Sequence, residues 1–249
     1  MSTNPCTGAE AILFDVLHTL VDDDGFPRYQ LREMLAAEGH EADLPLFEEV
    51  YRELTTREYD WETAAREEPF RSIHDRHRSR LTTLYRHYGL DRDRDLESDI
   101  ARLWERIGES SLYPEAADVL RALAARGYRL ALVSNADEDD PVLGALGRAG
   151  LEVQFAAVVT SQGAGAYKPA PAVFEQALGT LGIEPARAVM VGDSPASDML
   201  GAHRVGIPTV WVNRKGRPYP PGYPEPGVEV ADLRGLLDIL PGPPGTGGG

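Results

Sequence analysis

The 249-residue chain is short of several things, and each shortage excludes something. It has a single cysteine, Cys6, so no disulfide can form within it, and a cytoplasmic setting is the expectation. No apolar run reaches the roughly 18 residues that a membrane-spanning helix needs. Met1 to Glu10 lacks a basic stretch followed by an apolar one, so no signal peptide is expected. Basic charge is scarce too: 25 Lys and Arg stand against 40 Asp and Glu, a net charge of −15. That balance argues against partners such as nucleic acid or an anionic membrane. It leaves room for a small anionic substrate, since one local cationic pocket suffices. Lysine is scarcest of all, with only Lys168 and Lys215 beside 23 arginines. In such a chain a lysine marks a place suited to a compact point charge.

With 42% hydrophobic residues the chain can bury a core. Ala11-Ile-Leu-Phe14 is a continuous apolar run, the mark of a strand buried on both faces in a parallel sheet. Asp15 follows at its C-terminal end, the edge where ligands bind in open α/β sheets. From about Phe26 to Ser111 the composition turns charged and helical. Leu44, Phe47, Tyr51 and Leu54 recur at helical steps, as do Ile73, His77, Leu81, Leu84 and Tyr88, and Ile100, Leu103, Trp104 and Ile107. With a helix near 27–38, four helices are expected. Tyr51, Tyr59, Trp61, Tyr85 and Trp104 read as packing residues, and His77 as a core histidine. The adjacent carboxylates Asp22 to Asp24 read as a solvated turn.

Beyond Tyr113 strands and helices alternate. Strands are expected at 130–134, 155–160, 188–192 and 209–212, with helices at 116–126, 141–149, 173–181 and 195–205. This implies right-handed crossovers and one parallel sheet. Along its C-terminal edge the sequence places Asp15, Ser134 with Asn135, Lys168 on a loop, and Asp193 with Asp198. Asp15 suits a nucleophile. Asp15 and Asp193 suit Mg²⁺, and Asp198 suits a further ligand or an orienting group. Ser134 and the neighbouring backbone N–H groups can hold an anionic oxygen, and Lys168 can neutralise developing charge. Lys215 reads as a solvated loop cation.

This ordered set resembles the haloacid dehalogenase superfamily, through Asp15 in FDVLHTL, Ser134 in LVSN, Lys168 in YKPAPAVF, and Asp193 with Asp198 in VGDSPASD. The resemblance implies an α/β protein with a Rossmann-like core at 9–21 and 112–240. It further implies an inserted four-helix cap domain at 22–111, and a Pro/Gly tail at 241–249 should be disordered. It implies Mg²⁺ and an aspartate nucleophile that forms a covalent intermediate. Most members are phosphatases and some are dehalogenases. The first motif departs from the phosphatase pattern Asp-x-Asp-Gly-Thr: Leu17 fills the acid/base slot and His18 the glycine slot. The backbone carbonyl of Leu17 can still bind Mg²⁺, whereas its side chain carries no proton. His18 is the nearest titratable alternative, though a neighbour in sequence points elsewhere along a strand. The expectation is therefore a Mg²⁺-dependent phosphatase acting on a small anionic substrate, a phosphate ester. A 2-haloacid dehalogenase and a non-catalytic phosphate-binding protein are the alternatives.

Overall fold

The computed structural model describes residues 4–22, 28–40, 44–58, 60–66, 69–90, 95–107, 111–137, 141–148 and 155–243. Strand β1 (Ala11–Phe14) leads through a tight loop into β2 (Val21–Asp22). Helices α1 (Arg28–Ala37), α2 (Leu44–Glu58), α3 (Trp61–Ala64), α4 (Ile73–His87) and α5 (Leu96–Ile107) follow. The chain returns through β3 (Ser111–Leu112), antiparallel to β2. Then come α6 (Ala116–Ala125), β4 (Arg129–Ser134), α7 (Pro141–Arg148), β5 (Ala157–Thr160), α8 (Ser161–Ala164) and α9 (Pro171–Leu181). The last elements are β6 (Ala188–Gly192), α10 (Leu200–Arg204), β7 (Thr209–Val212), β8 (Val228–Val230) and α11 (Leu236–Ile239).

Six strands form one sheet in the order β5-β4-β1-β6-β7-β8, and every pairing in it is parallel. The fold is thus α/β and Rossmann-like. Strand β1 is central: Phe14 pairs with Leu132 on one side and Val191 on the other. Its alternating residues feed two cores, which is why the run is apolar throughout. Ile12 and Phe14 join the cluster under α6 and α11, and Ala11 and Leu13 the one under α9. The helices at 28–107 have a third cluster of their own, built on Phe47, Val50, Leu81, Leu84, Tyr85 and Leu103. Their departure and return lie side by side in the β2–β3 ribbon. Arg214 ties that crossing together, donating to the Thr19 carbonyl (2.9 Å) and to Glu115 (2.6 Å) while lying 3.5 Å over the Tyr113 ring.

Several expectations need correcting. The region of four expected helices also holds the single turn α3. Asp22 is not on a solvated turn; it is a partly buried residue of β2, and Asp23 and Asp24 lie outside the described residues. Strand β8 carries too few apolar residues for its pattern to show. The helix expected from 195 opens as a π turn, Pro195–Met199, before α10. The tail does not come loose at 241: Gly242 N–H donates to the Tyr128 hydroxyl and Pro243 is buried, with 244–249 outside the described residues. His77 is buried, Tyr85 packs inside the helical cluster, and Tyr51 and Trp104 pack against it. The side chains of Tyr59 and Trp61 lie outside the described residues.

Candidate active site

The parallel sheet sets the C-terminal ends of β1, β4 and β6 side by side, and the side chains just beyond them meet. Asp15 continues β1, its N–H donating to the Val191 carbonyl at 2.9 Å. Lys168 arrives from the loop between α8 and α9 and is only 1% exposed. Its ammonium donates three hydrogen bonds, to Asp15 Oδ1 (2.6 Å), Asp198 Oδ1 (2.7 Å) and the Val133 carbonyl (2.8 Å). All three protons are used, as a buried ammonium requires. Burial works against the charge, but the two carboxylates outweigh it and hold Lys168 above its ordinary value.

Asp198 stands in the π turn after β6 and is fully buried. Its Oδ1 also accepts from Ser197 Oγ (3.3 Å), and its Oδ2 accepts from Ser194 N–H (3.1 Å). Glycine at 192 is what lets this carboxylate come so close. A Cβ there would lie 2.2 Å from Asp198 Oδ2. Asp193 is partly buried, and its carbonyl accepts from Trp211 Nε1 at 2.8 Å. Asp15, Asp193 and Asp198 each offer a carboxylate oxygen within 4.8 Å of the others. Burial first, then the neighbouring Asp15 and Asp198 charges, pushes Asp193 well above the usual carboxylate range. Burial likewise raises Asp198 to about 6, against the pull of Lys168. Two carboxylates therefore share one ammonium with a third, Asp193, close beside them, an arrangement short of positive charge. Hard oxygen donors this close suit a small divalent cation such as Mg²⁺.

Ser134 ends β4 and is buried. Asn135 has a different task from the one its position suggests. Its Oδ1 accepts from Lys168 N–H (2.7 Å) and its Nδ2 donates to the Lys168 carbonyl (3.2 Å), so the side chain brackets the lysine's backbone. What remains available at 135 for an anion is the backbone N–H. Leu17 packs partly buried against the sheet's core. Around it His18 N–H donates to the Val21 carbonyl and Val21 N–H to the Val16 carbonyl. The Leu17 carbonyl takes part in neither bond. His18 is exposed at φ 60°, a conformation glycine adopts freely, which accounts for glycine in that slot of the family pattern. Lys215 is exposed on the loop after β7.

A family model for haloacid dehalogenase-like hydrolases matches residues 9–206. The chain belongs to this family. Relatives with two activities lie within reach. The glyceraldehyde 3-phosphate phosphatase of Methanopyrus kandleri is 32% identical over 245 residues, covering 93% of this chain and 97% of that one. The phosphoserine phosphatase of Thermus thermophilus is 42% identical over 126 residues, and the (S)-2-haloacid dehalogenase of a Pseudomonas species 32% over 155. The match spans 49% of the phosphoserine phosphatase, so about half its length, and 65% of the dehalogenase. Among solved structures, a HAD phosphatase from Thermococcus onnurineus superposes with a TM-score of 0.68 at 28% identity, over 94% of this chain and 99% of that one. Haloacid dehalogenase-like hydrolases thus include both phosphatases and dehalogenases close to this chain. Among its described residues no helix is long and apolar enough to cross a membrane.

Several parts of the site were not legible in the sequence: the Val133 carbonyl under Lys168, the Asn135 bracket and the Trp211 contact to Asp193. Each is a main-chain or long-range contact without a pattern of its own.

Proposed function

We propose that this hydrolase is a Mg²⁺-dependent phosphatase acting on a small phosphate monoester, with Asp15 as nucleophile. The observation that carries this reading is the carboxylate excess at the strand ends, where Asp15, Asp193 and Asp198 come together and Lys168 pairs with only two of them. Without a divalent cation that excess is relieved only by protonation, as the raised Asp193 and Asp198 imply, whereas an ion held there keeps the carboxylates ionised and ligating. Asp15, Asp193 and the Leu17 carbonyl would hold Mg²⁺, with Asp198 as a ligand or orienting group. Bound there, the ion would offset the charge of the phosphoryl group.

The chain's own groups then divide the work. Lys168 holds Asp15 by Oδ1, leaving Oδ2 to attack phosphorus. A bond forms from Oδ2 to phosphorus as the ester P–O bond breaks, and the alcohol leaves with a proton. Ser134 Oγ and the Asn135 N–H hold phosphoryl oxygens, and Lys168 neutralises charge at the reacting centre. Water then attacks phosphorus, releasing inorganic phosphate and restoring the Asp15 carboxylate. Leu17 can neither protonate the leaving alcohol nor take the proton that the attacking water gives up, so solvent water or His18 supplies the first proton and accepts the second. Substrates whose leaving groups need little protonation are therefore favoured. The helices at 28–107 are the cap, placed to select the substrate.

One observation favours a second reading, a 2-haloacid dehalogenase: the apolar, partly buried Leu17 where phosphatases of the family place an acid. A halide leaves without a proton. Parallel assays of phosphate and chloride release over a substrate panel, with and without EDTA, separate the two. Phosphate release abolished by EDTA is expected. Chloride release insensitive to EDTA, with no phosphate release, would contradict the proposal.

A further inference from the structure

Helix α4 begins with a capping box of its own. Ser72 Oγ accepts from Asp75 N–H (3.0 Å), and Asp75 Oδ2 accepts from Ser72 N–H (3.2 Å). Such a box satisfies the third turn position and leaves the first two N–H groups without a local acceptor. Those two amides point at the sheet. Ile73 N–H donates to Asp137 Oδ1 and His74 N–H to Asp137 Oδ2, both at 2.9 Å and across 64 and 63 residues of chain. Asp137 is 1% exposed, and its charge is set against the positive end of the helix dipole.

Asp137 lies three residues beyond Ser134. The carbonyl between them, on Ala136, is pinned by Ser161 Oγ (2.9 Å) and Gln162 N–H (3.3 Å). The same piece of helical insert is gripped from the other catalytic loop. Tyr167, the residue before Lys168, donates through its hydroxyl to the Arg71 carbonyl (2.6 Å). Its ring stacks on Phe70 at 5.0 Å and lies 4.7 Å from the Arg76 guanidinium. Residues 70–76 are thus seated on Asp137 and Tyr167, and the loops beneath them carry Ser134 and Lys168.

We propose that Asp137 is a positioning residue, whose two hydrogen bonds to the start of α4 hold the helical insert closed over Asp15 in register with the Ser134 and Lys168 loops. Seating the insert and assembling the anion site are then a single event. The inference rests on the phosphatase reading above for its kinetic part, and on geometry alone for its structural part. Losing the carboxylate frees two helix-start amides and lets the insert lift, so the reaction slows without any loss of a reacting group.

The test compares the full-length protein with Asp137→Ala and Asp137→Asn by amide hydrogen exchange and by turnover of p-nitrophenyl phosphate with Mg²⁺. In Asp137→Ala the peptide covering 70–77 should exchange about tenfold faster while strands 129–134 and 188–192 keep their protection. The kcat should fall about tenfold with a smaller change in KM. Asp137→Asn keeps one oxygen acceptor and should lie between the two on both measures. Unchanged exchange at 70–77, or a wild-type kcat in Asp137→Ala, would overturn the inference. So would an equal rise in exchange over the strands, which would mark Asp137 as a general stabilising contact. If the wild type itself fails to release p-nitrophenol, the phosphatase reading falls and the kinetic role of Asp137 falls with it, whatever the exchange shows.

Discussion

The strand ends and the helical insert both bury charge, but they arrange it differently. At the strand ends three carboxylates come together, and one lysine pairs with two of them. In the insert, Arg76, His77 and Arg80 are buried together on one helix, spaced by the helical turn. The first arrangement is acidic, tightly bonded and fixed by the sheet. The second is basic and rides on an element joined to the sheet through the β2–β3 ribbon and the contacts at Asp137 and Tyr167. The difference teaches where each region's contribution lies. On the mechanism proposed above, the sheet edge supplies the reacting groups and the insert brings surroundings to them.

If that division holds, substitutions at the sheet edge should act on turnover far more than those in the insert. The largest effect is expected for Asp15→Asn, nearly isosteric but a poor nucleophile. Turnover should drop by roughly 10³-fold or more with an unchanged circular dichroism spectrum. Retention of a tenth of the activity would break the assignment. Next comes Lys168→Ala, which leaves Asp15 and Asp198 without their shared ammonium. The kcat/KM should fall about 10²-fold, with a lowered Tm because two buried carboxylates lose their partner. Lys215→Ala is the control and should be close to wild type in both assays.

A smaller effect, and in the opposite direction, is expected at Leu17. Leu17→Asp restores a proton carrier in the slot where the family's phosphatases have one, and should raise phosphate release from an activated aryl phosphate about tenfold. An unchanged rate would mean that another group already moves that proton. In a dehalogenase the same change would instead lower chloride release.

The smallest effect belongs to the insert and to stability. His77 is held well below its ordinary value of 6.5, first by burial and then by the charges of Arg80 and His74. Consistent with a neutral ring, its Nδ1 lies 3.4 Å from Arg80 Nη1, which can only donate. As pH falls below about 6.5 the unfolded chain takes up this proton before the folded one does, so stability is full above that pH and declines below it. One such group gives a slope of at most about 1.4 kcal/mol per pH unit. His77→Gln should flatten that part of the curve, measured by denaturant unfolding from pH 7 downward. An unchanged slope would show that His77 is not the group responsible.

The sheet edge was largely legible in the sequence, and the reason is topological. Apolar runs of four to six residues announce parallel strands, and the polar residue after each run must then lie on one common edge. Asp15, Ser134 and Asp193 lie at strand ends as that argument requires. Lys168 and Asp198 come instead from the loop before α9 and the turn after β6, and the hydrogen bond from Lys168 to a main-chain carbonyl leaves no trace in residue types. The insert was legible only as periodicity. Its pattern identified Ile73, His77, Leu81 and Leu84 as inward-facing but could not show that Arg76 and Arg80 are buried too. Their environment is made by Tyr167 and other residues distant in sequence. Asp137 was invisible for the same cause: it sits in an acidic run that reads as solvated, and its partners are backbone amides.

The central claim is that Asp15 takes the phosphoryl group, and it can be observed directly. The wild-type protein is mixed with p-nitrophenyl phosphate and Mg²⁺, quenched in acid during turnover, and digested for mass spectrometry. The peptide containing Asp15 should carry one phosphoryl group, which disappears in Asp15→Asn and when EDTA replaces Mg²⁺. Phosphate release in the wild type with no phosphoryl group on that peptide, or with the group on another residue, would contradict the account.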